Sequence, residues 1–297
     1  MKSPTSHLVL APDAVIDLQT HTLYSDGVWT PEQLIDYASQ EQFGLIAITD
    51  HDRVDTVASV QRLATEKRLP VLPAVEMTTT WRGEMTDVLC YGFDPEQNEL
   101  NALAQDVLYR QQANTRAVFE YLRQKGYTFS QPSAPSADEA ESTAELTAIL
   151  EKPSAQHPHA LVALLKKYGY GTGEKSPGKI LGEAGVDFAT SEIAAVVEAA
   201  HQGGAVCLIA HPGRGDGFPR FDAPMLDQLR EDVPIDGLEA YYPLHTPEQT
   251  TLYLDYAQRH RLLVSSGSDS HGPENAPIKY RAELSRDLLE RVGIQVK

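Results

Sequence analysis

Positive charge is scarce in this sequence. Its 297 residues hold 25 lysines and arginines against 42 aspartates and glutamates, a formal net charge of −17. Sequence-independent binding to nucleic acid or to an anionic membrane needs a basic surface, so this balance argues against both, duplex nucleic acid included. Cysteine is nearly absent as well. Cys90 and Cys207 are the two, each inside an apolar run ("DVLCYGF" and "GAVCLIAH"). That placement reads as two buried, reduced thiols and excludes a disulfide framework or a zinc knuckle. Long apolar runs are also missing. Near the N-terminus only "LVLA" qualifies, too short for a signal-peptide core or a membrane span. The expectation is a cytoplasmic, soluble chain with no membrane partner.

What is present is an alternation. "AVIDL" (14–18) reads as a strand, and "TPEQLIDYASQEQFG" as a helix with Thr30 as N-cap, Pro31 in its first turn, Gln33 closing a capping box and Gly44 as its stop. "LIAIT" (45–49) is an apolar strand, followed by a helix from Val54 to Lys67. "VLPAVEM" and "DVLCYGF" flank the turn-like Arg82-Gly83 and fit a strand pair. After residue 190 the pattern resumes: a helix capped by Ser191 and ended by Gly203-Gly204, the strand "AVCLIA", a helix over 224–231, the strand "GLEAYY", a second "TPEQ" helix, and "LLVSSGS" (262–268). Buried strands alternating with helices predict an α/β fold around a largely parallel sheet, open or closed into a barrel. The repeated "TPEQ" reads as a shared capping solution. Between them, 96–189 is polar and helical, with loops predicted at "SQPSAPSADEAEST" and "GTGEKSPGK". The expected division is 12–95 with 190–297 as the main domain and 96–189 as an inserted helical subdomain.

The chemistry-bearing residues fall in a pattern. His21 follows the first strand, with Asp26 in the next loop. Asp50 and His51 follow "LIAIT", Glu76 follows "VLPAV", His211 follows "AVCLIA", and Asp269 and His271 follow "LLVSSGS". Asp87 instead opens its strand. In parallel α/β folds the loops after the strands meet on one face, where active sites gather. One such histidine is an ordinary surface or capping residue; several at equivalent strand ends are not. Imidazole with carboxylate suits zinc, manganese or iron, and a set this large suits two or three ions sharing a carboxylate.

The segments "DLQTHTLYSDG", "AITDHD", "PAVEMT", "IAHPGR" and "SSGSDSHG" occur in an order that resembles the polymerase and histidinol phosphatase (PHP) family of metal-dependent phosphoesterases. The resemblance implies a distorted (β/α)7 barrel with up to three metal ions at its mouth. It implies one ion held by positions 19 and 21 with Glu76 and Asp269. A second would share Glu76 and use position 87 and His211. A third would use Asp26, His51 and His271. The family has histidine at positions 19 and 87, where this chain has Gln19 and Asp87. Asp87 can still ligate. Gln19 offers only a neutral amide, which either shifts its site toward manganese or magnesium or hydrogen-bonds a neighbouring ligand.

Within the family, the insertion and its "HPH" resemble enzymes acting on 3′,5′-bisphosphonucleotides or on short RNA ends. The implied activity is phosphoester hydrolysis through a metal-bound hydroxide beside Glu76, on a nucleotide or short oligonucleotide. Arg214 and His245 would contact the phosphate or the leaving oxygen, and His157 and His159 would contact substrate. Related enzymes have arginine where this chain has His157, which replaces a permanent cation by a titratable one. Lys179 is a further possible contact. Tyr24, Trp29 and Trp81 could stack a base, although local packing is the commoner role for loop aromatics. Two alternatives stay open: a small-metabolite phosphatase of the histidinol-phosphate kind, and a non-catalytic metal- or nucleotide-binding barrel.

Overall fold

The computed structural model describes residues 5, 7–130, 138–171, 175–215 and 217–297. The chain divides into two compact units, Met1–Ala104 with Thr190–Lys297, and Gln105–Ala189.

In the first unit the chain runs through β1 (Val9–Leu10), β2 (Val15–Thr20), α1 (Pro31–Gln40), β3 (Leu45–Ile48), α2 (Val54–Lys67), β4 (Val71–Leu72), β5 (Ala74–Trp81) and β6 (Glu84–Tyr91). Helix α3 (Leu100–Gln124) leads into the second unit, which holds α4 (Asp138–Leu150), α5 (His157–Lys167) and α6 (Pro177–Glu183). The first unit then resumes with β7 (Ser191–Glu192), α7 (Ile193–Gln202), β8 (Val206–Ile209), α8 (Ala223–Asp232), β9 (Gly237–Tyr241), α9 (Pro247–His260), β10 (Leu263–Ser266), β11 (Tyr280–Arg281), α10 (Arg286–Arg291) and β12 (Gln295–Val296).

Local chemistry explains these elements. Helix α1 carries the complete capping box: the Thr30 side chain accepts from the Gln33 amide, and the Gln33 side chain accepts from Thr30. Helix α9 repeats it with Thr246 and Gln249. The expected stop at Gly44 is one turn late. The chain leaves α1 at Glu41 and turns through Gln42 in the left-handed region (φ 63°). Gly44 instead packs closely, since a Cβ there would meet Leu10 at 3.3 Å. Arg82 and Gly83 both have positive φ (51° and 83°), the twist a two-residue hairpin needs, and β5 and β6 pair antiparallel from Ala74–Tyr91 to Trp81–Glu84.

Ser191 does not cap α7. It pairs with Thr79 as part of β7, and the residue at the cap, Glu192, makes no side-chain capping bond. Of the acidic stretch expected as a loop, 131–137 lie outside the described residues, and from Asp138 the chain is helical. Its alanines and glutamates favour helix over coil. In the second expected loop, 172–174 lie outside the described residues and Pro177–Glu183 form α6, capped by Ser176.

A six-stranded sheet runs β10-β9-β8-β6-β5-β7 and a four-stranded sheet runs β11-β2-β3-β4, with β1 and β12 paired separately. The large sheets are mixed: β6 is antiparallel to β5 and β8, and β11 to β2. Two isolated parallel bridges, Thr20–Ser270 and His51–Glu76, link one sheet to the other. Leu18, Ala47, Ala74, Leu89 and Leu208, from five different strands, are buried in one apolar cluster. A second cluster, with Val88, Cys90, Cys207, Val196 and Val197, lies between the strands and α7. The helical unit has its own core of Phe119, Leu122, Phe129, Leu161, Leu165 and Ile180. Among the described residues no helix is long and apolar enough to cross a membrane.

Thr30→Ala removes the side chain that caps α1 and should cost about 1 kcal/mol of unfolding free energy, read as a lower urea midpoint. An unchanged midpoint would show that the cap is redundant.

Candidate functional site

Glu76, the third residue of β5, is fully buried and surrounded by nitrogen. Its Oε1 lies 3.1 Å from His211 Nε2 and 3.2 Å from Gln19 Nε2. Its Oε2 lies 3.1 Å from Gln19 Nε2, 3.1 Å from His21 Nε2 and 3.8 Å from His51 Nε2. Burial opposes ionisation of this carboxyl, but His51, His21 and His211 outweigh it and hold it well below the usual range. Because both carboxylate oxygens are acceptors, Gln19 must present its NH2 group to them, and its buried Oε1 has no hydrogen-bond partner.

Three further groups complete the cluster. Asp269 Oδ1 lies 3.1 Å from His21 Nε2, and Asp269 Oδ2 faces Arg214 at 3.6 Å and the Tyr242 hydroxyl at 3.4 Å. His271 donates from Nδ1 to the Asp269 carbonyl (2.8 Å) and lies with Nε2 3.2 Å from Asp26 Oδ2, and against burial the two aspartates raise its pKa. The His51 and His271 rings both stack on His21, with centroids 4.8 and 4.3 Å away. Asp87 lies on β6 with one oxygen 3.8 Å from His211 Nε2 and the other buried without a partner. Burial, with the neighbouring Glu76 charge, pushes the Asp87 carboxyl well up.

These residues fit a group of divalent cations. His21 Nδ1 and Nε2, His51 Nδ1, Gln19 Oε1 and Asp87 Oδ1 are buried and make no hydrogen bond, an arrangement that costs free energy unless something else meets them. Three overlapping donor groups share the space: His21, Asp26, His51 and His271; His21, Glu76 and Asp269; His51, Glu76 and Asp87. Imidazole nitrogen with carboxylate oxygen is the donor chemistry of zinc, manganese and iron. All nine residues expected as ligands from the sequence stand in this one cluster.

The remaining expected site residues divide. Arg214 is there, stacked over Phe218 at 5.1 Å, with a buried Nε that has no partner. His245 has other work. Its Nδ1 donates to the Ala240 carbonyl and its Nε2 therefore accepts from the Gly213 amide, so both ring nitrogens are taken. Burial lowers its pKa to about 4 and keeps the ring neutral. His157 is likewise buried in the helical unit: Nε2 donates to the Lys152 carbonyl and Nδ1 accepts from Thr115. Neither histidine has a nitrogen left for a phosphate. His159 is exposed on α5 with its ring beside Phe188, and Lys179 is exposed on α6. The aromatics pack locally, Trp29 against Tyr37 and Trp81 against Phe221.

Several supporting residues carry weaker sequence signals. Asp50 accepts from the Thr22 amide, the Thr22 hydroxyl and the Ser25 hydroxyl, which shapes the loop between His21 and Asp26. Glu239, a lone acid in an apolar strand, is fully buried and accepts from the His211 amide at 3.0 Å, while burial pushes its carboxyl well up. His211 has a φ of 27°, a strained value for a residue with a Cβ. Its turn is clamped from α9 as well: Gln249 accepts from the Thr246 amide and donates from Nε2 to the Gly213 carbonyl at 2.9 Å.

A family model described as "PHP domain" matches residues 17–174, just over half of the chain. A 5′-3′ exoribonuclease of Haemophilus influenzae is 25% identical over 260 residues, covering 86% of this chain and 90% of that protein. A 3′,5′-nucleoside bisphosphate phosphatase of Chromobacterium violaceum is 27% identical over 266 residues, covering 88% of each. A solved structure described as an amidohydrolase from Chromobacterium violaceum, with bound sulfate, superposes with a TM-score of 0.70 at 23% identity, over 93% of this chain and 96% of that one. This last likeness establishes a shared mixed α/β fold.

Gln249→Glu separates two tasks of one side chain. The new carboxylate still accepts from Thr246 but cannot donate to Gly213. Losing that bond, worth about 1 kcal/mol, should weaken metal binding by roughly five- to tenfold in calorimetric titrations. The thermal midpoint should move by no more than about 4 °C. Unchanged metal affinity would show that the clamp does not position His211.

Proposed function

This chain belongs to the PHP domain family, and on that footing we propose that it hydrolyses phosphate esters of nucleotides or short oligonucleotides with two or three divalent ions. The observation that carries this reading is Glu76, a buried carboxylate facing three imidazoles contributed by the ends of separate strands. The two named relatives both cleave phosphoester bonds of nucleotides or RNA, which supports the same substrate class here.

The barrel belongs to this proposal. Strands β2, β3, β5, β6, β8, β9 and β10 are seven in number, and the Thr20–Ser270 and His51–Glu76 bridges join the two sheets at both meeting points. A closed ring with the helical unit inserted after β6 accounts for both bridges and for the shared apolar cluster.

His21, Glu76 and Asp269 would hold one ion, Glu76, Asp87 and His211 a second, and Asp26, His51 and His271 a third. Such ions lower the pKa of water toward about 7 and draw charge from phosphoryl oxygens. The protein's own part is to keep the donors aimed at one space, where a cation competes with protons on His21, His271 and Asp87, whose pKa values are all raised. Burial lowers the pKa of His51, while Asp26 is held ionised against its own burial by the surrounding His51, His271 and His21. Arg214 is the cation left to grip a phosphate oxygen, because His245 and His157 are engaged elsewhere. Gln19 serves as the donor that fixes the Glu76 carboxylate and takes the place of a metal-binding nitrogen.

Two measurements test this. Purified protein with manganese should release phosphate from adenosine 3′,5′-bisphosphate or shorten a brief RNA, in preference to histidinol phosphate. Glu76→Ala should bring that activity to background, and full activity in the variant would place the chemistry elsewhere. Separately, Gln19→His should raise the metal content measured by atomic emission, or tighten binding about tenfold. Equal content and affinity would remove the role assigned to Gln19.

A further inference from the structure

Both cysteines lie well away from the Glu76 cluster. Cys90 on β6 and Cys207 on β8 face each other in register, buried, with their sulfurs 3.7 Å apart. That is too far for a disulfide, whose sulfurs are about 2.05 Å apart. It is an ordinary contact between two thiols, and of the pair Cys207 is the one that faces further donors. Beside them, His201, in the last turn of α7, and Asp236, just before β9, each offer a ligand atom within 4.8 Å of the other and of the Cys207 sulfur. His201 Nε2 and Asp236 Oδ2 are 2.7 Å apart, and Asp236 Oδ2 also accepts from the Cys207 amide at 2.8 Å.

We propose that Cys207, His201 and Asp236 form a separate site for a thiophilic divalent cation of the zinc class. A sulfur, an imidazole and a carboxylate are three protein donors of the kinds zinc takes, with a fourth position left for water. The ion has a way in, because His201 and Asp236 are both partly exposed while the thiols lie behind them. Without an ion, the bond to Cys90 and burial push the Cys207 thiol well up. Binding therefore displaces the Cys207 thiol proton and replaces the His201–Asp236 contact with two bonds to metal. The site is distinct from the Glu76 cluster. Cys207 is the second residue of β8 and His211 lies beyond that strand's end, four residues or about 13 Å along an extended chain. An ion here would tie β8, α7 and the approach to β9 together.

Cobalt(II) tests this directly, because the Glu76 cluster contains no sulfur. Full-length protein, stripped with a chelator and titrated with cobalt(II), should develop thiolate-to-cobalt charge-transfer absorption in the near ultraviolet, saturating at one equivalent. Cys207→Ser should abolish the band. His201→Ala, a change at a partly exposed position that spares the core, should weaken the transition at least tenfold and release one ion of bound zinc. Absence of the band at saturating cobalt would overturn the proposal. So would a band that persists unchanged in His201→Ala.

Discussion

Everything in the site depends on one carboxylate held ionised while fully buried. A buried carboxylate is unstable unless charge or hydrogen bonds meet it. Glu76 is met by three imidazole nitrogens and an amide, all within 3.8 Å. The arrangement satisfies Glu76 but leaves its partners short. His21, stacked with two other rings, has neither nitrogen in a hydrogen bond, and His51 and Asp87 each keep an unpartnered buried atom. The protein has assembled more donor capacity than its own atoms can absorb. Such an excess calls for cations, and it explains how a chain of net charge −17 can receive an anionic ester.

Holding that excess in place takes a second set of groups. Asp17, fully buried with its pKa pushed up to about 7, accepts from the amides of Gln19, Ser268 and Ile278 and so ties β2 to the chain that follows β10. Glu239 fixes the amide of His211. Between them sits Gly267, where a Cβ would lie 2.4 Å from Gln19 and 2.5 Å from Glu239. That close approach requires glycine. His211 and Asp269 both take left-handed backbone conformations, with φ of 27° and 55°. The strain falls on two expected ligands, and the hydrogen bonds to Glu239, His245 and Gln249 hold the His211 turn against it.

Much of this was legible in the sequence because its causes are local. The two capping boxes, the Arg82-Gly83 hairpin and the bounds of α2 follow from a few neighbouring residues, and most predicted ligands lie at or just past a strand end, although Asp87, expected to open its strand, stands in the middle of β6. What could not be read depends on distant partners. Gly44 looked like a helix stop but serves a close approach to Leu10. Ser191 looked like a cap but pairs with Thr79. His245 and His157 looked like substrate contacts because their neighbours matched a motif. Only the folded chain shows that the Gly213 amide and the Ala240 carbonyl use up one ring, and Thr115 and Lys152 the other. Glu76 itself lies inside its strand rather than past the end, because β5 runs on into the hairpin.

The two-residue period of the strands explains how one sheet can serve two different chemistries. Along β6, Leu89 joins the cluster shared by five strands, while its neighbour Cys90 faces α7; along β8, Leu208 and Cys207 divide in the same way. Alternate side chains point to opposite faces, so a change at one cysteine need not disturb the face that carries Glu76 and Asp87. Position along the strand separates them further, with the thiols several residues from the ends where the imidazoles gather. The sulfur donor on the β6–β8 ladder is thereby kept apart from the Glu76 cluster, whose donors are all oxygen and imidazole nitrogen. A softer cation gains a thiolate bond only on the cysteine face, so this difference between the two sites is a consequence of pleat and register.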